Sequence, residues 1–167
     1  TLSWVLHLKQ HNLAARTLIV STPQIITSVW PDEIEMWDQF NELSYQVVHG
    51  TAAQRVKALG RSANIYLVSM DNVPWLLKQN ISFDTLVIDE TTKFKNWTSN
   101  RTRSLRHMVY RKGTKTRPER FGFKYRVGLT GTPRPKALED LFPQAWVLDQ
   151  GESLDCSNRS QFRSTFM

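Results

Sequence analysis

Three short runs in this chain are apolar at every position: Leu18-Ile19-Val20, Ile65-Tyr66-Leu67-Val68 and Leu86-Val87-Ile88. Successive side chains of a β-strand point to opposite faces, so a strand with no polar alternation is buried on both. Such strands belong to a parallel sheet covered by helices on each side, and parallel neighbours need long crossover connections. The intervening sequence supplies them. Residues 1–11 read as a helix with Leu2, Val5 and Leu6 on one face. Thr22 suits a cap and Pro23 a first turn for a helix carrying Ile26, Val29, Trp30, Ile34 and Trp37, which Pro31 is expected to kink or restart. Further helices are expected over residues 51–59, closed by Gly60, and over 73–78 and 102–110, with a helical turn at 137–141. Tyr45-Gln46-Val47-Val48 and residues 125–129 complete the strands, and Ala145-Trp146-Val147-Leu148 reads as one more short apolar run. The expected fold is a single three-layer α/β domain around a mainly parallel sheet. A length of 167 residues, 40% hydrophobic with six Trp and eight Phe, gives it a dense core.

In open parallel sheets, ligands bind beyond the carboxyl ends of the strands. The polar turns Ser21-Thr22-Pro23, Ser69-Met70-Asp71, Asp89-Glu90 and Thr130-Gly131-Thr132 all follow predicted strands and therefore share that edge. Asp89-Glu90 is the most informative. An Asp delivered there can hold Mg²⁺ through its water shell, and a Glu beside it can orient and deprotonate an attacking water. An Asp-Glu pair alone also occurs on solvated surface turns, and Leu129-Thr130-Gly131-Thr132-Pro133 alone is what a strand followed by a breaker looks like. Their order, their spacing and the apolar strand before each make the combination specific.

The net charge is +7, and its distribution matters more than its size. Residues 93–126 hold twelve of the 22 basic side chains (Lys93, Lys95, Arg101, Arg103, Arg106, Arg111, Lys112, Lys115, Arg117, Arg120, Lys124, Arg126) against one acid, Glu119. Phe94, Trp97, Tyr110, Phe121, Phe123 and Tyr125 interleave them, a composition that suits a nucleic-acid backbone with stacked bases. A solvated basic loop or a contact with an acidic protein is the competing reading. Residues 111–118 are the segment expected to be disordered. Cys156 has no partner for a disulfide and no ligand-spaced neighbour, which fits a reducing compartment. His7 and His11 share a helix face with no supporting carboxylate or Cys, so a solvated pair is favoured over a metal site. No apolar run approaches the ~20 residues needed to span a bilayer.

On these residues the chain resembles the first RecA-like domain of superfamily-two helicases, specifically the Swi/Snf-type DNA translocases, the small bacteriophage versions being most similar. Residues 17–23 resemble motif Ia, 65–71 motif Ib, 86–95 with Lys93-Phe94-Lys95-Asn96 motif II, and Leu129 to Pro133 motif III. Residues 151–163 resemble the segment leading to a second lobe. The resemblance implies that Asp89 contacts the Mg²⁺ of Mg-ATP and Glu90 polarises the hydrolytic water. It implies that Thr130, Gly131 and Thr132 meet or sense the nucleotide. Ser21, Thr22 and Ser69 would touch a DNA backbone, with Lys95, Asn96, Arg101 and Arg103 as further phosphate contacts. The implied partners are double-stranded DNA and a second RecA-like lobe of the same parent, inside a cell or a phage-infected bacterium, with no membrane. Thr91-Thr92 departs from the family, many of whose members carry Ala-His there.

The phosphate-cradling pattern G-x-x-x-x-G-K-S/T is not found in the sequence. Gly113-Thr114-Lys115-Thr116 is a decoy, with its Lys displaced by one position and no Gly five residues earlier. Thr1 fits the Thr that ends a Gly-Lys-Thr triplet. The expectation is therefore one partial helicase lobe over residues 1–167, cut before or within the phosphate loop, from an ATP-dependent helicase or translocase. A non-hydrolytic nucleic-acid-binding or scaffold module that keeps the fold is the alternative. A metal nuclease is disfavoured, because Thr91 and Thr92 stand where further carboxylates or a Lys are needed.

Overall fold

A computed structural model describes residues 1–110, 123–132 and 137–167. The expected loop at 111–118, the decoy around Lys115, five of the clustered cations, Phe121 and Pro133 lie outside the described residues.

The chain builds helix α1 (Leu2–Gln10), strand β1 (Thr17–Ser21), a π-helical turn (Ile25–Val29) running into α2 (Trp30–Met36), β2 (Tyr45–Val48), α3 (Ala52–Leu59), β3 (Ile65–Ser69), α4 (Val73–Leu76), β4 (Thr85–Asp89), α5 (Asn100–Val109), β5 (Tyr125–Leu129), α6 (Leu141–Asp149) and α7 (Arg159–Phe166). The five strands form one sheet in the order β2-β3-β1-β4-β5, and every neighbouring pair is parallel. Ser21 lies beside Ser69, and Asp89 beside Leu129, so the expected polar turns do share the carboxyl edge.

Each central strand feeds two cores. Ile19, Ile65, Leu67 and Val87 face Leu2 and Val5 of α1 and Ile26, Trp30 and Ile34 of the π turn and α2. Leu18, Val20, Tyr66, Val68, Leu86 and Ile88 face the opposite way, onto residues of α3 to α7 such as Leu76, Leu105, Phe142 and Phe162. The alternation of side chains about unbroken apolar runs thus produces the three layers. At ~25 cal/mol per Å² of apolar surface, each fully buried Leu or Ile contributes about 1.5–3 kcal/mol relative to exposure.

Local signals account for several boundaries. Thr51 accepts from the Gln54 amide while the Gln54 side chain accepts from the Thr51 amide, a reciprocal cap that fixes the start of α3. Ser99 caps α5 through the Thr102 amide. The expected kink at Pro31 takes a specific form. Pro31 has no amide to donate, and the turn before it widens so that the Trp30 amide reaches Ile25 O. The short apolar run at residues 145–148 lies in α6, where Trp146 and Val147 pack into the second core. A short apolar run does not by itself separate a buried strand from a buried helix. Among the described residues, no helix is long and apolar enough to cross a membrane. No group of three His, Cys, Asp or Glu among them could hold a metal ion.

Candidate functional site

Asp89 ends β4, and Glu90 follows with φ 67 and ψ 70. A left-handed backbone is uncommon for a residue with a Cβ and is held only when its surroundings enforce it. It turns the chain sharply off the strand into a short 3₁₀ segment, Thr91–Phe94. That turn brings Thr92 back onto its own neighbour, and Thr92 Oγ1 donates to Glu90 Oε1 at 2.5 Å. From the end of the adjacent strand, Thr130 Oγ1 donates to the same oxygen at 2.8 Å. The Thr132 amide in turn donates to Thr130 Oγ1 at 3.2 Å. Hydrogen bonding from Thr92, opposed by partial burial and reinforced by Thr130 and the nearby Lys93 charge, holds the Glu90 carboxyl below its ordinary range. Gly131 is exposed, and a Cβ there would meet nothing within 4 Å.

Asp89 is held from the other side. Ser21 Oγ, at the end of β1, donates to Asp89 Oδ2 at 3.0 Å, and Trp30 Nε1 donates to the same atom at 3.1 Å. Oδ1 accepts no hydrogen bond among the described residues. Asp89, Trp30 and Thr1 line one open cavity of about 420 Å³, together with Ser3, Glu33 and Phe40. The sequence-predicted residues Thr1 and Asp89 therefore meet, although 88 positions separate them. A half-buried carboxylate with one uncommitted oxygen, next to Thr and Ser hydroxyls, fits Mg²⁺. That ion takes hard oxygen donors and uses only one or two carboxylates when phosphates and waters complete its shell.

Thr91 is buried, and its hydroxyl donates to Gln144 Oε1 of α6 at 2.7 Å, while Gln144 Nε2 donates to Asp140 O at 2.7 Å. The Thr at this position thus ties the Asp-Glu turn to α6. Neither Trp30 nor Gln144 was picked out by sequence reasoning. An indole or amide that needs a partner announces nothing about which distant residue will supply it.

The expected nucleic-acid residues separate into groups. Ser21 is fully buried and Ser69 is 2% exposed, whereas Thr22 is half-buried. Asn96 and Arg101 line a second cavity of about 440 Å³ with Lys93, Asp71, Pro74, Ser99 and Asn100. Lys95 turns instead toward Asp140, 4.0 Å away, and Arg103 is exposed. Two other cations of the cluster are half-buried and engaged within the domain. Arg106 lies 3.3 Å over the Trp97 ring, and Arg126 donates to the carbonyls of Val109 and Leu148 at 2.9 and 3.2 Å. The interleaved aromatics among the described residues pack within the domain. Phe94 and Phe123 are buried, Trp97 and Tyr110 pack on Trp146, and Tyr125 meets Trp4 edge-on.

A parallel five-stranded sheet between two helical layers, with an Asp-Glu turn and a Thr-Gly-Thr turn at adjacent strand ends, defines a three-layer RecA-like α/β domain. The model of a family described as the SNF2-related domain matches residues 1–151, and the chain belongs to that family. It is 33% identical over 146 residues to protein p41 of Acyrthosiphon pisum secondary endosymbiont phage 1, covering 83% of this chain and 30% of that protein. Its fold matches a Sulfolobus solfataricus SWI2/SNF2 ATPase core in complex with dsDNA, with a TM-score of 0.74 and 21% identity over 97% of this chain. The S. solfataricus SWI2/SNF2 ATPase core domain matches with a TM-score of 0.65 and 21% identity over 98% of this chain. The chain spans 30% of the length of each of these three.

Proposed function

We propose that the chain is the nucleotide-hydrolysing lobe of a longer, ATP-driven translocase on double-stranded DNA. In this reading Asp89-Glu90 serves as motif II and Thr130-Gly131-Thr132 as motif III. The observation that carries it is the 2.8 Å bond from Thr130 to Glu90, which joins the two turns across adjacent strand ends. Such a bond lets a change at the nucleotide be felt at a neighbouring loop, as a coupled motor requires.

Each residue then has a distinct task. Ser21 and Trp30 fix Asp89 through Oδ2, leaving Oδ1 and the Thr1 hydroxyl as the oxygens that would hold Mg²⁺ of Mg-ATP. When bound, that ion would neutralise charge on the phosphates. Thr92 and Thr130 hold Glu90 through Oε1, so Oε2 is left to orient a water and take its proton. A carboxylate held below its ordinary range is ionised at neutral pH, which suits orienting a water, while the lowered pKa makes it a weaker proton acceptor. The family and the DNA-bound Sulfolobus core support duplex DNA as the track. Thr22, Lys93, Asn96, Arg101 and Arg103 offer side chains to it; Ser21 and Ser69 would reach it through main-chain atoms.

The test is Glu90→Gln in a full-length protein carrying this lobe. ATP binding should persist and DNA-stimulated phosphate release should vanish. An unchanged turnover would remove Glu90 from the mechanism. A wild-type protein that binds DNA and never releases phosphate would favour the non-hydrolytic module instead.

A further inference from the structure

The cavity of about 440 Å³ beside the Asp-Glu turn is built by two strand-end connections. Asp71 comes from the turn after β3; Lys93, Asn96, Ser99, Asn100 and Arg101 come from the stretch after β4. Arg101 is not loose in it. Its Nη2 pairs with Asp71 Oδ1 at 2.5 Å, and its Nη1 contacts Met70 Sδ at 3.3 Å. Asp71 is 60% exposed on its side chain and Arg101 35%. An exposed pair of this kind contributes little to folding. Its geometry is nevertheless specific: an Asp71 oxygen meets one guanidinium nitrogen of Arg101, and Lys93 and Asn96 line the same cavity. A guanidinium fork is the group best matched to the oxygens of a phosphate.

We infer that this cavity is a phosphodiester subsite in which the Asp71 carboxylate occupies the phosphate position until a nucleic-acid backbone displaces it. Arg101 and Lys93 are the two cations and Asn96 the neutral donor; Asp71 is a built-in competitor. The inference rests on the DNA-track reading above and adds a regulatory anion to it. The displaced Asp71 swings into solvent, so exchange costs only the weak exposed pair. The subsite therefore binds a strand loosely enough to release it, as stepping along a duplex requires.

The test titrates a fluorescently labelled duplex of mixed sequence with the purified chain at several salt concentrations. Asp71→Asn should tighten binding about three- to sixfold at low salt, the equivalent of releasing one exposed ion pair, and the gain should fade as salt rises. Arg101→Ala should weaken binding and flatten the slope of log affinity against log salt by about 0.9, the contribution of one duplex phosphate. In the double variant the gain from Asp71→Asn should disappear, because the two residues act through one contact. Glu42→Gln is the control. It removes the same charge from the loop before β2, at the opposite edge of the sheet, and should leave affinity unchanged. Equal effects of Asp71→Asn and Glu42→Gln, or a gain that survives without Arg101, would overturn the inference while leaving the DNA-track reading in place. A wild-type chain with no salt-dependent duplex binding would overturn both. Displacement of the duplex by excess Mg-ATP would assign the subsite to nucleotide phosphate and overturn the assignment to the backbone.

Discussion

At the scale of single residues, the site is a matter of which oxygen is committed. Glu90 spends Oε1 on Thr92 and Thr130, and Asp89 spends Oδ2 on Ser21 and Trp30. Thr92→Val keeps the shape of the side chain and removes the strongest cause of the lowered Glu90 pKa. Carboxyl-carbon NMR titration should then show Glu90 titrating closer to its ordinary value; an unmoved curve would detach Thr92 from Glu90. The sign for stability follows. A carboxyl whose folded pKa lies below its unfolded one stabilises the fold above the unfolded value, and that contribution is lost as pH falls through the folded value. Thr92→Val shrinks this acid-side window. Trp30→Phe deletes a hydrogen bond to a carboxylate from a residue only 8% exposed, and should cost about 1–3 kcal/mol in denaturant unfolding. A loss within error would mean that Ser21 alone holds Asp89. Asp89, Glu90 and Thr130 were legible in the sequence because each is announced by the strand that precedes it. Trp30 and Gln144 were not, because their partners lie 59 and 53 positions away.

At the scale of elements, the agreement between sequence and structure tracks the strength of the local signal. The unbroken apolar runs of β1, β3 and β4 permit one environment, a doubly covered parallel sheet, and that is where they are. Residues 145–148 are equally apolar but lie in α6, where the helix turns its hydrophobic side onto Trp97 and Phe162. The π turn before Pro31 was visible only as an expected irregularity. Its particular form depends on the chain keeping Ile26 and Trp30 both buried while omitting one amide donor. β5 also carries a constraint that composition hides. A Cβ on Gly128 would lie 2.6 Å from Thr91 Cγ2 and 3.2 Å from Leu148 Cδ1. Gly128→Ala should therefore destabilise the fold by about 1–3 kcal/mol through overpacking. Adding Thr91→Ser removes the clashing methyl and keeps the hydroxyl on Gln144, so it should restore part of the loss in thermal unfolding. Additive losses would place the strain elsewhere.

At the scale of the whole molecule, twelve cations in 34 positions mark a charged region in the sequence, and seven of them lie among the described residues. Charge density is readable in sequence, but which guanidinium turns inward is decided by packing. Arg106 and Arg126 are half-buried against Trp97 and the Val109 carbonyl, and Arg101 is paired. Reversing Lys95, Arg101 and Arg103 to Glu should weaken duplex binding for every sequence and flatten the salt slope, because backbone contacts position rather than specify. Matching affinities and slopes for variant and parent would exclude these three from the track. The purified 167-residue chain, whose sequence has no phosphate-loop pattern, should release no phosphate from ATP above background with or without DNA. Vigorous DNA-stimulated release would refute that. The position of β5 has its own outcome. It borders the sheet, yet all five of its residues are half-buried rather than alternating between core and solvent. Its outward peptide groups should trade hydrogen for deuterium through small local openings, while those of β1 and β3 wait for the entire molecule to unfold. The strand that carries the Thr-Gly-Thr turn is thus one of the two that border the described sheet, and its hold on the Asp-Glu turn of β4 passes any shift to that turn ahead of β1 and β3.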